Sequence, residues 1–278
     1  NWLNALRAGV ARDWPDQLVA FEQTDFVMAC YADYFAELHP PVDLELDNRD
    51  RLAALKALSD LKNTRAFRRT HYERLPGKSA LTEFVADVAA PTLGVLGLGK
   101  RALEKVVPEF RVWWDADSAK QTAVLELIYN VMHDALAECE SVTVIAHGFG
   151  GVLAYDALWK LGREQPERKL DLLITCGTPL ANNTVRGRLA GAKESVQQRF
   201  PANLFRWHNL AAEDDYLCHD KTVADDFAPL LKQHQISELV DHTIYNLSVR
   251  YGRSAPRHSA GYLVHPRMAE LLADWLKG

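Results

Sequence analysis

The sequence predicts an α/β domain built on a largely parallel sheet. Three features carry that expectation. Helical and extended patterns alternate over much of the chain. The clearest extended runs, 142–146 and 170–175, are short, apolar and partly β-branched, as strands covered on both faces are. Each run is bordered by a segment of helical periodicity. At 278 residues the length allows one large domain or two small ones, and the pattern reads as one domain, 1–278, with a helical insertion at about 39–117.

In chain order, Trp2, Leu3, Leu6 and Val10 are spaced for one face of a helix. The apolar run 26–30, ending at Tyr31-Ala32-Asp33, reads as a buried strand. A helix-then-strand opening leaves no strand before the first helix, so the expectation is a fold unit whose first strand is missing from the start of this chain. The insertion is the least regular part. Leu52, Leu55, Leu58 and Leu61 mark a helix, and Arg65, Arg68, Arg69 and Arg74 follow as a basic stretch, together suggesting a helical lid. The apolar segment 88–99 is too short to span a bilayer and is broken by Pro91, Gly94, Gly97 and Gly99. Buried core, a mobile flap and a lipid-touching surface remain open for it.

Ser118 and Gln121 have capping-box spacing before an apolar-rich helix reaching about Glu138. Strand 142–146 is expected to be central. A helix over 151–161 stopped by Gly162, a strand at 170–175 and another at 203–210 come next. Tyr245, Leu247, Val249 and Tyr251 alternate with polar residues as in a half-exposed strand ending near Gly252, and Met268, Leu271, Leu272 and Trp275 stripe a closing helix.

Composition narrows the function classes. Hydrophobic residues make up 48% and charged residues 25%, enough apolar side chain for a sizeable core. A formal net charge of −5 lacks the basic footprint that phosphate neutralisation needs, so nucleic acid is not an expected partner. Cys30, Cys139, Cys176 and Cys218 are widely scattered without metal-ligand spacing, and read as reduced. No cleavable leader pattern or membrane-length apolar run is seen, so the expectation is a soluble, cytoplasmic chain. The histidines form no ligand motif, and neither metal nor cofactor is expected.

The most informative stretch runs Val-Thr-Val-Ile-Ala-His-Gly-Phe-Gly-Gly-Val-Leu-Ala-Tyr-Asp over 142–156. A buried strand turns at once into a helix, with Ala146 two residues before Gly148 and Gly150 two after it. A plain glycine-rich turn is the simpler alternative, but a dinucleotide turn or a phosphate-binding P-loop needs other spacings, which are absent. The stretch closely resembles the nucleophile elbow of α/β-hydrolases of the serine esterase and lipase kind, where small neighbours relieve a crowded backbone. Gly148 stands where that family carries its serine. The resemblance extends over roughly 1–38 and 119–278 and implies the α/β-hydrolase fold, a mainly parallel sheet flanked by helices.

That family places an acid and then a histidine after the nucleophile, each in a loop following a strand. Ala-Ala-Glu-Asp-Asp-Tyr at 211–216 offers Glu213, Asp214 and Asp215, of which the resemblance favours Asp215, with Asp214 its rival. His258, in His-Ser-Ala-Gly-Tyr at 258–262, is the family-like histidine, and His265 is the competitor. Backbone N–H groups bind the oxyanion in working relatives, one from the residue after the nucleophile, here Phe149. The second normally comes from a loop behind an early strand, and no such loop precedes Asn1. Cys176 as a substitute nucleophile lies on the wrong strand.

Glycine at the apex keeps the turn and deletes the hydroxyl. Two explanations compete: a disarmed variant of a carboxylic-ester hydrolase, or a natural non-catalytic module that binds a small ligand, lipid or protein. The intact surroundings favour the first. The implied substrate is an ester or acyl lipid, with peripheral lipid contact a refinement.

Overall fold

Strand β2 (Leu170–Cys176) is buried along nearly its whole length. Its near-continuous apolar run is what a parallel strand between two helical layers requires. The computed structural model describes residues 2–38, 56, 99–115, 117–213, 215–218, 220–246 and 259–278. Around β2 stand β1 (Thr143–His147), β3 (Leu204–Ala212) and β4 (Glu238–Ile244), all parallel, in the order β1-β2-β3-β4.

The described helices are α1 (Trp2–Asp13), α2 (Leu18–Glu22), α3 (Lys100–Val106), α4 (Phe110–Trp113), α5 (Ala119–Glu138) and α6 (Phe149–Glu164). They continue with α7 (Asn183–Arg186), α8 (Ala228–Lys232), α9 (Ser259–Leu263) and α10 (Pro266–Leu276). Alternation along the strands divides the core in two. Leu172, Ile174, Leu210 and Ala212 join residues of α1, α9 and α10 on one face. Leu173 and Trp207 join α5 and α6 on the other. The result is a three-layer α/β/α arrangement.

Local chemistry explains the element ends. Ser118 caps α5, its Oγ accepting from the Gln121 N–H at 3.4 Å, as the capping-box spacing predicts. Helix α6 begins immediately after Gly148 and runs past Gly162 to Glu164. Gly162 therefore does not stop the helix as expected; a β-carbon there would lie 2.8 Å from the Ala202 nitrogen, so its role is close packing.

A polar ladder crosses the buried sheet and pins its register. Thr175 pairs with Asn209, and Asn209 with Asp241, across β2, β3 and β4. The Thr175 hydroxyl donates to Asn209 Oδ1 and accepts from Trp207 Nε1, each at 2.9 Å, and Asn209 Nδ2 donates to Asp241 Oδ1 at 2.9 Å. Asp241 also accepts from the Val223 and Ala224 N–H groups at 2.9 and 2.8 Å. A one-residue slip would leave these buried groups unpaired.

Several sequence expectations change. Residues 26–30 form no strand, with Val27 68% and Met28 45% exposed. No described strand pairs with this run, and without a ladder partner an apolar run is not a sheet strand. Strand β1, expected at the centre, has one described neighbour, β2, and is half-buried over most of its length. Strand β4 escaped the pattern reading, because Glu238, Asp241, His242 and Thr243 dilute its apolar residues. Tyr245 and Asn246 fall beyond the end of β4, and the rest of the strand expected there lies outside the described residues. The lid expected at 39–117 also lies largely outside them, as does segment 88–98; from Gly99 on, α3 and α4 are helical.

Candidate active site

The β1-to-α6 turn places Gly148 at φ 57°, ψ −126°, a backbone conformation that side chains rarely adopt. The Gly148 N–H donates to the Cys176 carbonyl at 2.9 Å and its own carbonyl accepts from the Gly151 N–H at 3.1 Å, so the turn is tied at both ends. A β-carbon added at Gly148 would meet no described residue within 4 Å. Among the described residues nothing crowds the apex. Gly151 is the opposite case: a β-carbon there would lie 2.4 Å from Thr178 Oγ1, so glycine lets the helix approach the loop after β2.

An aromatic nest surrounds the first turn of α6. The buried Phe149 ring meets those of Phe110, Trp113, Phe35 and Tyr31 edge-on, with centroids 5.1, 5.7, 6.0 and 6.2 Å away. The Tyr31 hydroxyl accepts a hydrogen bond from the Gly150 backbone, and burial, reinforced by the charge of Glu109, pushes its phenol well up. Behind the apex, the His147 ring lies 6.2 Å from Trp2 and 5.5 Å from Tyr262. None of these aromatic partners was singled out as a site residue from sequence, because they come from segments far from the elbow.

Asp215 stands just past the end of β3 and is 2% exposed. Its Oδ1 accepts from the Leu217 N–H at 3.0 Å and its Oδ2 from the Tyr262 hydroxyl at 2.9 Å. Elbow and acid follow the ends of β1 and β3, with β2 between them. Two strand spacings make that separation roughly 10 Å. Gly177, after β2, bridges the gap: its N–H donates to the Leu210 carbonyl at 3.0 Å, and a β-carbon there would lie 3.0 Å from Asp215 Oδ2.

Of the competing residues, the described ones have partners of their own. Glu213 pairs with Lys221 at 3.0 Å on the surface, and Asp214 lies outside the described residues. His258 lies outside them too, immediately before α9 and in the connection that follows β4. His265 caps α10, its Nδ1 accepting from the Arg267 N–H at 3.0 Å. Burial, then the charges of Arg12 and Arg267, hold its imidazole down to about 3. Cys176 is fully buried, and burial pushes its thiol well up, which removes the thiolate a substitute nucleophile needs.

Away from the elbow, a cleft of about 320 Å³ is lined by Tyr155, Arg186, Arg199, Phe200, Asp226 and Phe227, among others, and by neither Gly148 nor Asp215. Among the described residues no group of three or more His, Cys, Asp or Glu side chains is disposed to hold a metal ion. No described helix is long and apolar enough to cross a membrane. All four cysteines are free.

In comparisons with known proteins, no family model, no curated protein and no solved structure matches this chain.

Proposed function

We propose that the chain has the α/β-hydrolase fold and is a carboxylic-ester hydrolase of the esterase or lipase type in a form lacking its nucleophile. The observation that carries this reading is the backbone of Gly148: a positive-φ residue at the apex of a strand-to-helix turn, with no described residue within 4 Å of the space where a side chain would project. An ordinary tight turn has no need of that space. A nucleophile does, because its oxygen must reach an incoming carbonyl.

The surroundings support the same reading. A buried carboxylate, Asp215, follows the strand two places along the sheet, and the connection after the next strand contains His258. That order, nucleophile position, acid, histidine, is the one the hydrolase reading requires. With serine at 148, the hydroxyl oxygen would attack the ester carbonyl while His258 takes its proton. The Phe149 N–H, at the start of α6, would stabilise the oxyanion. Collapse of the tetrahedral species would expel the alcohol, protonated by His258, and leave an acyl-serine for water to cleave. Asp215 would hold the imidazole in the tautomer that makes this possible.

A second reading, a non-catalytic module that binds a ligand or partner, is favoured by one observation, the glycine itself. The two separate on one assay. Hydrolysis of p-nitrophenyl esters of increasing acyl length is measured for the chain as it stands, for Gly148→Ser and for Gly148→Ser/His258→Ala. Turnover confined to Gly148→Ser supports the hydrolase, and its chain-length preference separates esterase from lipase. A folded but silent Gly148→Ser protein would overturn the ester-hydrolase reading in favour of binding.

A further inference from the structure

We infer that Tyr262 is a positioning residue for the Asp215 carboxylate, fixing the orientation in which that carboxylate meets the loop histidine; this rests on the hydrolase reading above. The Tyr262 side chain is fully buried on α9. Its hydroxyl accepts from the Ala212 N–H at 3.2 Å and donates to Asp215 Oδ2 at 2.9 Å. A phenol has one hydrogen to give. The backbone N–H occupies one lone pair and the buried Cys218 thiol lies against the same hydroxyl, but the carboxylate is the stronger acceptor and takes the hydrogen at 2.9 Å.

The clamp has two jaws. Leu217 N–H holds Oδ1 at 3.0 Å while Tyr262 holds Oδ2, so rotation of the carboxylate about its own axis breaks one bond or the other. The phenol ring has little room to swing. It lies against Gly177, where a β-carbon would come within 3.1 Å of it, and its centroid is 5.5 Å from that of His147. The link to the histidine is covalent and short. His258 immediately precedes α9, and Tyr262 is four residues on, within the helix. One segment thus carries both the histidine and the group that orients the histidine's acid.

Removing only the hydroxyl tests this. In Tyr262→Phe the ring packing stays, and the carboxylate loses a donor and becomes more basic, which in turn stabilises the imidazolium that the hydrolase reading pairs with it. The acid limb of the pH–rate profile should therefore move up by about one pH unit, since a hydrogen bond to a charged group is of that size. The profile is measured with p-nitrophenyl acetate in the full chain carrying Gly148→Ser, with and without Tyr262→Phe. In parallel, the Asp215 carboxyl is titrated by carbon-13 NMR in both forms.

An upward shift of both the acid limb and the Asp215 titration, with KM within about twofold, supports the inference. Lower activity with an unmoved limb overturns it, because a merely structural tyrosine would do that. An unmoved Asp215 titration overturns it regardless of activity. Silence from Gly148→Ser with a shifted Asp215 titration removes the hydrolase reading and the positioning role with it, leaving a structural hydrogen bond. Should Tyr262→Phe not fold, 3-fluorotyrosine at 262 replaces it. That stronger donor must move the limb down, and failure to do so overturns the inference.

Discussion

Gly148→Ala isolates the backbone of the elbow from its chemistry. The residue sits at φ 57°, ψ −126°, where a non-glycine side chain costs about 1–3 kcal/mol. Against this, alanine restricts the unfolded chain and returns about 0.4–1 kcal/mol. Steric cost adds nothing, since a β-carbon there has no described neighbour within 4 Å. The net expectation is a loss of roughly 1.3 kcal/mol, within bounds of about 0 and 2.6 kcal/mol. For 278 residues the unfolding entropy is about 0.6 kcal/mol/K, so Tm should fall by about 2 °C and by no more than about 4 °C. Gly151→Ala is the control. It carries no positive φ, but its β-carbon would meet Thr178 Oγ1 at 2.4 Å, so its loss, about 1–3 kcal/mol, comes from overpacking alone. Thr178→Ala removes the 2.4 Å contact but leaves the β-carbon of 178 at 2.9 Å, so it should rescue Gly151→Ala in part and leave Gly148→Ala untouched. Urea denaturation and calorimetry measure both. A Gly148→Ala protein more stable than the parent would refute the strained-turn argument, and one that fails to fold would show that a β-carbon at 148 is crowded after all.

Two titratable groups, Asp156 and His265, give pH predictions of opposite sign. Asp156 on α6 is buried, its Oδ1 accepting from the Ala190 N–H at 2.8 Å, and burial raises its carboxyl from 3.8 to about 8. The folded state thus keeps a proton the unfolded state releases, so the stabilising contribution is complete below pH 3.8 and is lost as pH rises towards 8. Asp156→Asn keeps the acceptor and does not titrate. Its stability advantage over the parent should grow by about 1.4 kcal/mol per pH unit at most between pH 5 and 7 in urea denaturation, and a constant difference would show that Asp156 is not the titrating group. His265 runs the other way, its imidazole held down to about 3. The folded state refuses a proton the unfolded state takes below about 6.5, so stability is full above 6.5 and falls as pH drops towards 3. His265→Asn preserves a helix cap without a titrating ring. Between pH 6 and 4 its stability should decline less steeply than the parent's, by about 1 kcal/mol per pH unit, and parallel slopes would exclude His265 as the source.

The strand-to-helix turn at Gly148 was legible because its requirements are local. A β-branched run, small residues at 146 and 150, and glycine at 151 each answer a backbone need within a few residues of the apex, and strand, turn and helix followed in that order. The capping serine of α5 was legible for the same reason, since donor and acceptor are three residues apart. Asp215 was reached only by its place in the chain after a strand. Nothing in Ala-Ala-Glu-Asp-Asp-Tyr distinguishes a buried carboxylate tethered by Leu217 and Tyr262 from a surface one paired with lysine, and the structure makes Asp215 the first and Glu213 the second.

The sequence by itself determined the alternation of helix and strand, the parallel character of the sheet, and the position of a strand-to-helix turn whose apex is glycine, because each follows from periodicity or from the conformational freedom of single residues. Tertiary structure alone decided the rest. Residues 26–30 have the composition of a buried strand, yet they are largely exposed and no described strand pairs with them, since sheet formation depends on a partner and not on the run itself. Strand β4 reads as polar, yet it forms because Asn209 and the N–H groups of Val223 and Ala224 satisfy Asp241 at its centre. The bond between Tyr262 and Asp215 spans 47 residues. No local pattern encodes such a contact; the parallel sheet, by bringing its strand ends to one edge, creates it.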